Sequence, residues 1–178
     1  MRILAAVTLV TLLGASSPAP TEAPKPPVSL RGRLASVTLA KVSRKVGAEA
    51  SAACPGAKEA LEFVFLIAPV GDGVDPAFSR DVSLEVDGES PEKSSRPDSP
   101  PTPRPVLVVK DVPDLLAEFP DVREVASQDP KPGLGLVITV GGAPYPASGT
   151  GALAFSAGYH RTVEPFRFRF SLPPRPGA

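Results

Sequence analysis

Tryptophan is absent from this chain of 178 residues, which holds one histidine, one cysteine and two tyrosines. Each scarcity closes off a class of chemistry. With Cys54 alone there is no intrachain disulfide and no thiolate metal cluster, and its setting in ASAACPGA reads as a loop or lightly buried thiol. With His160 alone, every Ser–His or Cys–His arrangement depends on one residue, and a histidine zinc site lacks ligands. His160 sits in AGYHRTVEP beside Arg161, and it reads as a surface residue of a connecting loop. The shortage of Trp and Tyr removes the sugar platforms of a glycosidase. Acids are plentiful: residues 81–129 hold twelve against five Lys or Arg, the composition of a solvated acidic rim. A hydrolase using carboxylates alone is the weakest functional alternative.

Net charge is zero, which argues against a dedicated nucleic-acid binder. Outside the first 13 residues no apolar run approaches the ~20 needed to span a bilayer, so no stable membrane span is expected. Glycine pairs occur, but none follows a strand and opens a helix, so there is no phosphate loop. Asp72, Asp75 and Asp81 lie in GDGVDPAFSRD, a loop that offers oxygen ligands at spacings unlike an established calcium loop. Asp-Gly and Asp-Pro are ordinary turn dipeptides, and no metal, no cofactor and no catalytic residue is assigned.

What is present is proline, 24 residues of it, which rules out a helix-dominated chain. Met1-Arg2, the apolar run Ile3–Leu13 and the small residues Gly14–Ser17 have the order of a secretory signal peptide, with cleavage expected after Ser16. No cysteine follows the apolar run, so no lipid anchor is expected. Residues 17–27, SPAPTEAPKPP, read as an extended, disordered tether. The rest makes one domain, 28–172, long enough to bury ~70% of its extended surface. Residues 173–178 read as a frayed tail.

The domain is organised around Leu61–Ala68, LEFVFLIA. Leu61, Phe63, Phe65 and Ile67 point to one side of a strand, and Val64, Leu66 and Ala68 to the other. Apolarity on both faces requires cover on both sides, so this is an inner strand. Val28, Leu30 and Leu34 alternate with polar residues before the apolar phase slips to Val37 and Leu39, which means a bulge near Ala35-Ser36 or two short strands; one bulged strand is preferred. Residues 43–60 read as a loop or short helical turn. Further strands are Val82–Val86, Val106–Val109, Leu134–Val140, Ala152–Ala157 and Phe166–Leu172, the last an alternation of inward Phe with outward Arg167 and Arg169. Residues 113–119, PDLLAEF, fit two helical turns. Residues 89–105 read as a mobile loop.

Seven or eight strands with at most one short helix predict an immunoglobulin-like antiparallel β-sandwich, with a small β-barrel as the alternative. The remaining constellation is electrostatic. Arg31 and Arg33 project from the first strand and Arg167 and Arg169 from the last; if those strands adjoin, four guanidinium groups share a basic face suited to carboxylates or phosphates. The function expected is therefore a non-enzymatic binding or assembly module, exported to the periplasm or outside the cell, and the Ala/Pro/Arg-rich composition suggests a bacterial chain. Its partner is an unknown protein or an envelope or polysaccharide component. A secreted inhibitor or accessory subunit presenting loop 89–105 or 141–150 is the alternative.

Overall fold

A computed structural model describes residues 23–71, 75–87, 104–128, 130–142 and 144–176. The expected signal peptide, the start of the tether, Asp72 and residues 89–103 lie outside the described residues.

Among the described residues nine strands form two antiparallel sheets. The first runs in the order β1 (Val28–Arg31), β2 (Ala35–Val46), β3 (Glu59–Pro69), β7 (Leu134–Gly142), β6 (Val106–Lys110). In the second, β8 (Thr150–Tyr159) is central. It pairs on one side with β9 (Thr162–Ser171) and on the other with β4 (Pro76–Phe78) and β5 (Ser83–Val86), set end to end. Both sheets keep open edges among the described residues, so the architecture is a sandwich and not a barrel.

The LEFVFLIA strand lies in the middle of the larger sheet, and its two faces are covered differently. Leu61, Phe63, Phe65 and Ile67 enter the core between the sheets, with Phe155, Phe166, Phe168 and Phe170 opposite. Phe65 meets Phe155 at 4.7 Å and Phe168 at 5.2 Å, and Phe63 meets Phe170 edge-on at 4.9 Å. Val64, Leu66 and Val137 are covered from outside by Leu115 of α2 (Val112–Glu118) together with Phe119 and Val122. A single 3-10 turn (Pro120–Val122) and α3 (Arg123–Ala126) complete that layer. Farther along, α1 (Gly47–Ala53) closes over Ala60 through Ala50, Cys54 and Ala57.

Several expectations are corrected. Residues 28–39 are not one bulged strand but two strands in a hairpin: Gly32 N–H bonds Ala35 C=O at 2.8 Å, and Val28–Arg31 pairs with Ser36–Leu39. Gly32 is the turn residue, and the bulge falls later, at Ala40 between the Leu39 and Lys41 pairs. Pro76–Phe78 adds a short strand inside what reads as loop, because it borrows its ladder from the far end of β8. Among the described residues there are three short α-helices, not one, and they pack on the outer face of β3 and β7. The two ends are also tied down. Ser171 Oγ donates to the carbonyl of Ala23 (3.2 Å), and Arg175 packs on Glu59 and Tyr145.

Candidate functional site

The β1–β2 hairpin supplies the basic residues. From Ala23 to Val46 the chain carries Lys25, Arg31, Arg33, Lys41, Arg44 and Lys45 and no acid. Three of these cations are neutralised: Lys41 by Asp121 (2.7 Å), Lys45 by Glu62 (2.5 Å) and Arg44 by Glu59 (3.8 Å). Lys25, Arg31 and Arg33 remain exposed: Lys25 in the segment before the outermost strand, Arg31 at that strand's end and Arg33 in the turn beyond it.

Arg31 and Arg33 do not share a sheet face with Arg167 and Arg169. β1 edges the larger sheet and β9 the smaller one, so the strands are not paired with each other. They meet at a seam, along which residues 23–35 run opposite in direction to β9. At one end Ala23 holds Ser171; at the other Glu164 holds the hairpin turn. Arg167 is spent on Glu85 of β5, across β8, at 2.6 Å. Arg169 is exposed, and among the described residues neither it, Lys25 nor Arg31 has an acid within 4.0 Å. The predicted basic face is thus a basic seam built on Lys25, Arg31, Arg33 and Arg169.

Glu164 is the organising residue that the strand alternation does not reveal. Its carboxylate accepts the backbone N–H groups of Arg33 (3.0 Å), Leu34 (2.8 Å) and Ala35 (3.2 Å). A Cβ on Gly32 would fall 2.0 Å from Glu164 Oε1, so only glycine leaves room for the clamp. Burial alone pushes the carboxyl upward, but the three N–H donors and the Arg33 charge outweigh it and hold Glu164 below the usual range. The clue in the sequence is a glycine between two arginines, far from the acid that needs it.

A second polar cluster closes the opposite end of the intersheet space. Arg44 stands opposite Leu61 and therefore points between the sheets, with a fully buried side chain. Its NH2 donates to Pro146 C=O at 2.6 Å, while Nε and NH1 have no hydrogen-bond partner among the described residues. Glu59 accepts from Tyr145 N–H and from Arg175 Nε (3.2 Å). Burial, reinforced by Cys54 and Glu59, pushes the Tyr145 hydroxyl well above its ordinary value, and it donates to Val140 C=O at 3.0 Å. Loop 141–150 is therefore pinned through Tyr145.

The other sequence candidates fall apart in space. His160 is exposed in the two-residue turn between β8 and β9, where His160 and Arg161 both have positive φ (53° and 63°). Cys54 is 1% exposed beneath α1, with Sγ 3.7 Å from Arg104 C=O, so it is shielded from other chains. Asp81 turns back on Ser79, while Asp75 gives its backbone carbonyl to His160 N–H. No group of three metal-ligating side chains occurs among the described residues. On the outer face of the larger sheet a shallow groove of about 90 Å³ is lined by Ser29, Ser36, Thr38 and Gln128 over Leu66, and Arg31 stands opposite Ser36 in the ladder beside it.

No family model and no curated protein matches the chain. The crystal structure of the GAE domain of GGA2p from Saccharomyces cerevisiae aligns with 83% of this chain and 98% of its own, at 11% identity and a TM-score of 0.30. That superposition is too loose to carry a functional reading. What this site does has to come from its own charges.

Proposed function

We propose that this chain is an exported, non-enzymatic binding or assembly module that grips carboxylates or phosphates on a partner through the seam between β1 and β9. One observation carries the reading: the segment from Ala23 to Val46 has six cations and no acid, and the fold neutralises only those cations that face inward or toward the helices. Lys25, Arg31 and Arg169 are left exposed on the two strands that border the seam and the segment that leads into it. Guanidinium groups on a rigid sheet edge suit planar carboxylate or phosphate, because their donors need little reorganisation to pair in a fork. Steering by such an edge weakens with salt over a Debye length of ~8 Å at physiological ionic strength.

The test is a charge reversal. Arg31→Glu with Arg169→Glu is expected to abolish salt-sensitive retention on a polyglutamate or polyphosphate matrix, and capture of partners from the culture medium and envelope fraction. Arg167→Glu, at a position already spent on Glu85, is expected to weaken retention less. Full retention by the double variant would defeat this reading. Export is tested by fractionation and N-terminal sequencing, with a mature chain starting near Ser17 expected and an intact Met1 in the cytosol counting against it.

A further inference from the structure

We propose that residues 173–176 form a strap with a single exchangeable lock, the buried carboxylate of Glu59, which holds Arg175 while the strap is down and passes to Arg44 when it lifts. Backbone hydrogen bonding ends at Leu172, whose N–H donates to Gly149 C=O at 3.0 Å. Beyond it Pro173, Pro174 and Pro176 have no N–H to offer, and a chain of this kind stays extended with a solvated backbone. Pro174, Arg175 and Pro176 are exposed. Among the described residues the hydrogen bonds of this segment come from one side chain: Arg175 Nε donates to Glu59 Oε1 (3.2 Å) and Arg175 NH2 to Tyr145 C=O (3.0 Å). The arm is therefore fastened by one guanidinium, and its freedom to open depends on what it leaves behind.

Glu59 is 3% exposed, and a buried carboxylate stripped of its counter-charge ordinarily destabilises the fold. Here a second cation is already in place. Arg44, whose side chain is fully buried, points NH1 at the same Oε1 from 3.8 Å, too far to bond, and its NH1 and Nε have no partner among the described residues. Oε2 is engaged separately, by Tyr145 N–H. One oxygen thus faces two guanidinium groups and bonds one of them. With the strap down, the half-exposed Arg175 holds Oε1 and two buried donors of Arg44 go unmet. With the strap lifted, closing the gap to the ~2.8 Å of a charge-assisted bond gives Arg44 the ion pair it lacks and keeps Glu59 neutralised. Loop 141–150 stays in place, because Tyr145 N–H remains on Oε2, the Tyr145 hydroxyl on Val140 C=O and Arg44 NH2 on Pro146 C=O. The strap opens without unfolding the domain and frees an arginine on a proline-stiffened arm. No residue of the basic seam takes part, so either reading stands or falls without the other.

The experiment uses the purified full chain with a nitroxide attached through Pro174→Cys; Cys54 does not compete for the label, being buried. Adding Arg175→Ala is expected to turn a restricted spectrum into that of a mobile arm, while the folding constant from urea unfolding falls by no more than about tenfold. Glu59→Gln, which strands Arg44 as well, is expected to lower that constant more than about a hundredfold. Arg175→Ala combined with Arg44→Met keeps the test available if Glu59→Gln fails to fold. The carboxylate then has neither cation, and the constant is expected to fall at least about tenfold beyond the product of the two single effects. In the Arg175→Ala chain the guanidinium proton resonances of Arg44, assigned by their loss in Arg44→Met, are expected to move downfield as NH1 enters a hydrogen bond. A label equally restricted with and without Arg175 would overturn the lock, because other contacts would then hold the arm. Arg44 resonances that stay in place, or single effects that merely multiply in the double variant, would overturn the exchange.

Discussion

The buried pair at the end of the intersheet space gives an asymmetric test. Glu59→Gln keeps the volume and still accepts from Tyr145 N–H, but removes the charge that faces Arg44 at 3.8 Å and Arg175 at 3.2 Å. Arg175 is 44% exposed and turns to water at little cost; the Arg44 side chain is fully buried and has no other acid within reach among the described residues. Stranding a buried charge costs about 3 to 5 kcal/mol, and the surviving bond to Pro146 C=O places this site at the lower end, near 3 kcal/mol. Arg44→Met acts in the opposite sense. It deletes a guanidinium whose Nε and NH1 are already unpartnered, fills the space with an apolar chain and leaves Glu59 its bonds to Arg175 and Tyr145. The net change is expected within about 1 kcal/mol of zero. Urea unfolding followed by far-ultraviolet circular dichroism suits a chain without tryptophan. Should Arg44→Met destabilise as much as Glu59→Gln, the pair is a net source of stability and the desolvation reasoning is wrong.

Two further outcomes follow from the hairpin turns. Because the folded carboxyl of Glu164 titrates below its unfolded value of ~4.3, its contribution is full above that pH and is lost as pH falls through the folded value. Glu164→Gln is expected to cost about 1 to 2 kcal/mol at neutral pH and to flatten the acid limb of stability; an unchanged acid limb would dismiss the clamp. At the β8–β9 turn, His160→Asn with Arg161→Gly supplies residues that accept positive φ and keeps the N–H donated to Asp75. A gain of about 1 kcal/mol, or roughly 2–4 °C in Tm, is expected by thermal melting, and a loss would mean that the two side chains contribute contacts of their own.

Much of the architecture is legible in strand periodicity. The apolarity of LEFVFLIA on both faces, interrupted only at Glu62, demanded two covering layers, and the alternation in FRFRFSL separated the inward phenylalanines from the outward arginines, as observed. Short elements were not legible, because Pro76–Phe78 and the α3 turn have no period of their own and exist only against β8 and β7. The Gly32 turn was hidden for a related reason. A lone glycine between arginines signals nothing until the acid 132 residues later closes on it.

The sequence by itself determined which faces are apolar, that two sheets bury the phenylalanines, and that the first 46 residues carry cations without acids from Ala23 onward. Those are properties of side-chain chemistry at a repeat of two, and they survive any choice of partner strand. Only the tertiary structure decided that β1 and β9 belong to different sheets and which cations are neutralised. Strand order and the longer ion pairs, Lys41–Asp121 and Glu85–Arg167, depend on chain closure between residues far apart in sequence, and no local pattern encodes that closure.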